Sequence, residues 1–114
     1  MTIVRDRIAL ADLVALAEGR FGDLVKAVVD VDRGIMAVGG ELHADDEAAL
    51  LDDGSRQPDL WGINLYPADH GQPDWLEFDS MINVRPTAGN RTRSVGDPMV
   101  RERIIAIVEG LVVG

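Results

Sequence analysis

An α+β fold follows from three features of this 114-residue sequence: a mostly antiparallel sheet of four to five strands, with two long helices and one short helix. First, Val25-Lys-Ala-Val-Val-Asp-Val-Asp32 and Ile35-Met-Ala-Val38 are β-branched runs of strand length divided by Arg33-Gly34, the mark of a tight hairpin. Second, Trp75 to Arg85 sets Leu76, Phe78, Ile82 and Val84 against Glu77, Asp79, Met81, Asn83 and Arg85, the period of two of a half-buried strand. Third, Asp97-Pro98 precedes Val100, Ile104, Ile107, Val108 and Leu111, which places an N-cap and a first-turn proline ahead of a helical apolar stripe. The expected order is αββαββα in one domain, residues 1–114, with the helices on the sheet's apolar face.

The elements justify themselves in turn. Residues 2 to 4 suit a short edge strand, and Leu10, Leu13, Val14, Ala17 and Phe21 recur at helical spacing, which predicts a helix over 9–20 with Gly22 as its left-handed stop. In the hairpin, Val25, Ala27, Val29 and Val31 are expected in the core, with Lys26, Val28, Asp30 and Asp32 on the other side. From His43, an acidic first turn followed by Ala48, Leu50 and Leu51 predicts the short helix, ended by Gly54 and lying over a sheet edge. Asp59 to Tyr66 reads as a strand with Trp61, Ile63 and Leu65 inward, and Gly62 marks a bulge or a close approach to the backbone. It is expected to pair with 75–85 as a hairpin across the polar connection 67–74.

Composition narrows the function classes. The absence of cysteine excludes disulfides and thiolate metal sites, and the lack of any long apolar run predicts a cytoplasmic protein with no membrane association. A formal charge of −9 disfavours nucleic acid as a partner. The charge is uneven: residues 1–84 carry 6 basic and 17 acidic side chains, residues 85–114 carry 5 and 3, so an anion is expected near the C-terminal third.

Four groups of side chains carry candidate chemistry. Glu77 and Asp79, at alternate strand positions roughly 7 Å apart, are candidate catalytic carboxylates, sharing a face with Asn64, Tyr66, Asn83 and Arg85. The plain alternative is a solvated polar face. Asn90, Arg91 and Arg93, leading to the helix at Asp97, have the parts of an anion site, against the alternative that the arginines pair with the acidic remainder of the chain. His43 with Asp45, Asp46 and Glu47 is a weak metal candidate whose spacing matches no established motif; no metal and no cofactor is expected. Trp75 and Met81, with Tyr66 and Leu60, form a candidate interface patch suited to a homodimer.

Phe21-Gly-Asp-Leu-Val-Lys-Ala-Val-Val-Asp30, Gly39-Gly-Glu-Leu-His-Ala-Asp45, Asp59-Leu-Trp-Gly-Ile-Asn-Leu-Tyr-Pro67 and Glu77-Phe-Asp-Ser-Met-Ile-Asn-Val-Arg-Pro86 together resemble an uncharacterised family of short prokaryotic proteins, catalogued as a domain of unknown function. The resemblance implies a free-standing small domain and transfers no role to any residue. The function expected from the residues is a ligand- or partner-binding module using the polar face of the 59–66/75–85 hairpin. The rival is a hydrolase of anionic or phosphorylated small molecules, with Glu77 and Asp79 as acid/base or metal ligands and Arg85, Arg91 and Arg93 clamping the anion.

Overall fold

Five strands form one antiparallel sheet in a computed structural model that describes residues 1–114. They are β1 (Thr2–Val4), β3 (Val25–Asp30), β4 (Ile35–Val38), β5 (Leu60–Leu65) and β6 (Leu76–Glu77), in the order β1-β4-β3-β5-β6. Two further short strands, β2 (Ile8–Ala9) and β7 (Val112–Val113), pair in parallel. The helices are α1 (Leu10–Glu18), α2 (His43–Asp52) and α3 (Pro98–Leu111). Strands therefore precede α1 and follow α3, and α1 and α2 span 9 and 10 residues against 14 for α3, so one helix is long rather than two. No helix is long and apolar enough to cross a membrane.

Local chemistry sets most of these boundaries. Asp97 caps α3, its Oδ1 accepting from the Met99 N–H at 2.9 Å, and Pro98 fills the first position, where an N–H would have no partner. Gly22 and Gly54, past α1 and α2, hold φ of +93° and +100°, which only glycine adopts without strain. The β3–β4 hairpin closes on Asp30, whose Oδ1 accepts from the N–H groups of Asp32 and Arg33, both at 2.9 Å.

Both faces of the sheet are covered, where the sequence predicted one. Val25, Ala27, Val29, Met36, Val38, Ile63 and Leu65 face α1 and α3, meeting Leu13, Ala17, Ile104, Ile107 and Val108 in the main core. The alternate positions Val28, Ile35, Ala37 and Leu60 lie beneath Leu50 of α2, which sits on the sheet rather than over an edge. Val28 and Asp30, expected outside, are fully buried. Continuous apolar runs such as Ala27-Val28-Val29 are what a strand covered on both sides requires.

The largest correction concerns residues 75–86. Pairing with β5 is limited to Asn64↔Glu77 and Leu65↔Leu76, after which the chain leaves the sheet and turns through a 3-10 segment at Met81–Asn83. Leu76 and Phe78 pack into the main core while Ile82 packs into the α2 cluster, so the alternating apolar set serves two different layers. The turn crosses β5 at Gly62, where an added Cβ would stand 2.5 Å from both Cβ and Oγ of Ser80. Gly62→Ala is expected to destabilise the fold by at least about 1–3 kcal/mol through overpacking. Gly110→Ala, in α3 with nothing within 4 Å, is expected to stabilise it by up to about 1 kcal/mol. Parallel thermal melts of the two variants read the contrast, and equal melts would refute the steric account.

Candidate functional site

Beyond Glu77, the outer edge of β5 is completed by side chains instead of a strand. Asn83, fully buried, accepts from the Gly62 N–H at 2.8 Å and donates to the Gly62 carbonyl at 2.9 Å and the Arg93 carbonyl at 2.9 Å. Its amide thus makes the pair of bonds a neighbouring peptide would have made. Arg85 continues the edge, donating to the carbonyls of Leu60, Pro58 and Ile82 with its guanidinium 4.2 Å from the Trp61 ring centre. Asn90, also buried, donates to the carbonyls of Asn83, Thr92 and Ser94 and accepts from Gly96 N–H, folding residues 85–96 around itself. Asn83, Arg85 and Asn90, expected to bind ligand, are therefore structural. Their polarity answers backbone groups that have no strand partner.

This arrangement opens a cleft of about 560 Å³ on the α2 side of the sheet. Lys26, His43, Asn64, Tyr66, Glu77, Asp79 and Arg93 supply its polar lining, and Leu42 and Met81 are exposed at its rim. Lys26 and Asn64 are direct cross-strand partners on β3 and β5, which fixes both on the same face. The Asn64 amide nitrogen donates to Glu77 Oε1 at 2.9 Å and to the Asp79 carbonyl at 3.3 Å, and the Tyr66 hydroxyl donates to the same Glu77 oxygen at 3.1 Å. Asp79 Oδ1 meets Arg93 Nε at 2.7 Å. With side chains 57% and 42% exposed, that pair positions the two groups more than it stabilises the fold.

Asn64 is the group left incomplete. It is only 7% exposed, and its Oδ1 has no hydrogen-bond partner. A buried acceptor without a donor costs about 1–3 kcal/mol, and this oxygen is sealed from solvent. Beside it, His43 opens α2 with its Nε2 2.8 Å from the Ile63 carbonyl. A carbonyl only accepts, so Nε2 carries the hydrogen and Nδ1 of the neutral ring is a lone pair. Burial pushes the His43 pKa down, and Lys26 adds to this; the Ile63 carbonyl, Asn64 and Asp79 act the other way. Burial and the hydrogen bond to Glu77 raise the Tyr66 pKa, keeping it a phenol.

The structure thus unites Asn64, Tyr66, Glu77, Asp79, Arg93, His43 and Met81 and leaves the other candidates elsewhere. Arg91 is exposed outside the cleft. Trp75 is buried in the main core, edge-on to His70 at 4.8 Å, and Leu60 is buried under α2, so neither serves an exposed interface. Asp45 Oδ2 accepts from Leu42 N–H at 3.0 Å, and Asp46 turns inward to the Gly40 N–H at 3.0 Å, which dissolves the metal grouping proposed for His43 and Asp45. The carboxylates that do come within 4.8 Å of one another are Asp30, Asp32 and Asp59. There Asp30 is already engaged by two backbone N–H groups and the Ser55 hydroxyl. Sequence reading missed Lys26 as a site residue; its place opposite Asn64 depends on the β3–β5 register, which is set by long-range pairing.

Among known proteins, neither a curated protein nor a solved structure matches the chain. A family model described as "Protein of unknown function (DUF5674)" matches residues 2–111, nearly the whole length, and the chain belongs to that family.

Proposed function

We propose that this protein is a small single-domain binding module that holds a small polar molecule in the cleft between α2, β5 and the 78–83 turn. The observation that supports this reading is a cleft of about 560 Å³ in which Asn64, Tyr66 and Glu77, and Asp79 with Arg93, are held by hydrogen bonds and an ion pair on one another. Polar groups fixed in advance in a concave surface are a preorganised site. A cytoplasmic homodimer belongs to the same reading, with Met81, 65% exposed, as the contact left at the rim. Sedimentation equilibrium reads that part directly, and a monomer at high concentration would remove it while leaving the cleft.

The hydrolase alternative has less support. Glu77 and Asp79 share the cleft, but Arg85 is turned to the β5 edge, Arg91 lies outside, and Arg93 is already paired with Asp79. A three-arginine anion clamp is therefore not assembled. The test of the binding reading is a screen of polar fragments by amide and side-chain NMR shifts on the full chain. Binders are expected to move Asn64, Tyr66, Glu77 and Asp79 together. Binders that gather at another surface, or none below about 10 mM, the weak end of fragment affinity, would overturn the reading.

A further inference from the structure

We propose that α2 is a pH-sensitive latch on the cleft, pinned at its C-terminal end and held at its N-terminal end by two titratable side chains, so that its first turn leaves the sheet when Asp46 ionises. The latch itself stands on the packing of α2; that it regulates the cleft rests on the binding reading above.

The buried residues of α2 are His43, Asp46 and Leu50, whose spacing sets them on one helix face. One is apolar; the other two carry charge when solvated near their ordinary pKa values. The two ends of the helix are held differently. At the C-terminal end Leu50 enters the cluster of Val28, Ile35, Ala37 and Leu60, and Asp53, just past the helix, pairs with Arg5 at 2.6 Å and Arg33 at 2.8 Å. Hydrogen bonds from these arginines hold the Asp53 pKa down at about 2, so this pin stays charged at neutral pH. At the N-terminal end Leu42 occupies the cap position without a polar side chain, and the chain enters through Gly39 and Gly40. Two polar bonds tie this end to the fold, His43 Nε2 to the Ile63 carbonyl at 2.8 Å and Gly40 N–H to Asp46 Oδ1 at 3.0 Å. The carboxyl is closely packed, since an added Cβ at Gly40 would stand 2.8 Å from Oδ1.

Asp46 suits this place without its charge. It is fully buried and its Oδ2 has no partner, so a carboxylate there keeps one oxygen in a dry site. Burial pushes its pKa up to about 7, with help from Asp45 and against the Gly40 N–H, the N-terminal amine and Arg20, which itself lies 3.9 Å from Glu41. In the released turn water solvates the carboxylate and the pKa returns to about 3.8, so opening becomes more favourable as pH rises from about 4 to about 7. His43 works the other way. Burial lowers its pKa, assisted by Lys26 and opposed by the Ile63 carbonyl, Asn64 and Asp79, so it favours opening as pH falls below 6.5 and offsets part of the Asp46 slope there. Leu42, His43 and Ala44 are the α2 wall of the cleft, so the turn that opens is the turn that shapes the site.

Amide hydrogen exchange on the labelled full chain at pH 5 and pH 8, corrected for intrinsic rates, reads the opening. Glu47 to Leu50, whose helical bonds reach back into the first turn, are expected to exchange through an opening that leaves Val28 and Val29 of β3 protected. Between the two pH values their protection is expected to fall about a hundredfold more in the wild type than in Asp46→Asn, tenfold for each of the two pH units between 5 and about 7. Asparagine keeps the acceptor for Gly40 N–H and cannot ionise, and the difference removes His43, which both proteins share. His43→Gln, which keeps a donor for the Ile63 carbonyl, is a second variant and is expected to show the full Asp46 dependence. Equal pH dependence in wild type and Asp46→Asn, or none in His43→Gln, would overturn the latch. Exchange of α2 and β3 with one free energy would overturn it too, since the helix would then open only with the whole fold. The Asn64 side-chain amide is expected to shift with the α2 opening; an unmoved Asn64 would overturn the regulation of the cleft. No ligand enters the measurement, so the latch can fail while the binding reading stands, and the fragment screen can fail while the latch stands.

Discussion

Asn83→Ala is expected to cost roughly 2–6 kcal/mol, because each buried polar group left without a partner costs about 1–3 kcal/mol and this substitution strands two. They are the Gly62 N–H and the Gly62 carbonyl, while the Arg93 carbonyl loses one of its two donors. The loss propagates, since Arg93 O also accepts from Ser80 N–H at 3.0 Å, and Asn90 holds the Asn83 carbonyl at 2.6 Å. Asn83→Asp separates hydrogen bonding from volume. It keeps the size but replaces the NH2 group with a carboxylate oxygen facing two carbonyls, so it is expected to be as damaging as alanine or worse. Urea denaturation of both variants checks this. A loss below about 1 kcal/mol for Asn83→Asp, the scale of an ordinary single hydrogen bond, would show that the amide does not stand in for a strand.

The second large effect is a pH dependence centred on Asp46. This side chain is fully buried, accepts from Gly40 N–H at 3.0 Å, and has one oxygen, Oδ2, without a partner. Burial raises its pKa from 3.8 to about 7, opposed by the Gly40 N–H, the chain's N-terminal amine and Arg20, and reinforced by Asp45. The folded protein therefore keeps a proton that the unfolded chain releases near pH 4. Stability falls as pH rises from about 4 to about 7 and is level above that. At about 1.4 kcal/mol per pH unit the loss amounts to roughly 4 kcal/mol. His43 slopes the other way below its ordinary value of 6.5, since its folded pKa is lowered and the unfolded chain takes up the proton first. Comparison with Asp46→Asn isolates the aspartate. The variant is expected to lose the falling limb between pH 4 and 7 and to exceed the wild type at pH 8. Superimposable stability profiles for the two proteins would show that Asp46 ionises normally.

Where the sequence carried its own local instruction, reading it located the element. Asp97-Pro98 starts α3, Gly54 ends α2, and the Arg33-Gly34 turn closes β3 onto β4, because capping, positive φ and tight-turn geometry act within a few residues. Trp75 to Arg85 failed for a different reason. Alternation of apolar and polar residues reports which side chains are buried, and it is satisfied equally by a strand and by a turn whose apolar groups enter two layers. Ser80, the one residue that broke the pattern, is where the chain leaves the sheet and crosses Gly62. The candidate site was half legible on the same grounds. Asn64, Tyr66, Glu77 and Asp79 converge because β5 and β6 pair over just the two residues needed to bring them together, and Arg93 joins through the backbone bond from Ser80.

The sequence by itself determined the helix starts and stops and the β3–β4 hairpin, which are set by steric and capping preferences local to the chain. At Gly62 it offered a bulge or a close approach, and the crossing by Ser80 decided between them. Only the tertiary structure decided that Asn83 and Asn90 act on backbone rather than on ligand, that Trp75 belongs to the core, and that Lys26 and His43 face Asn64. An amide side chain bonds a peptide group or a ligand with the same atoms, so which partner it finds depends on what long-range pairing leaves unsatisfied nearby.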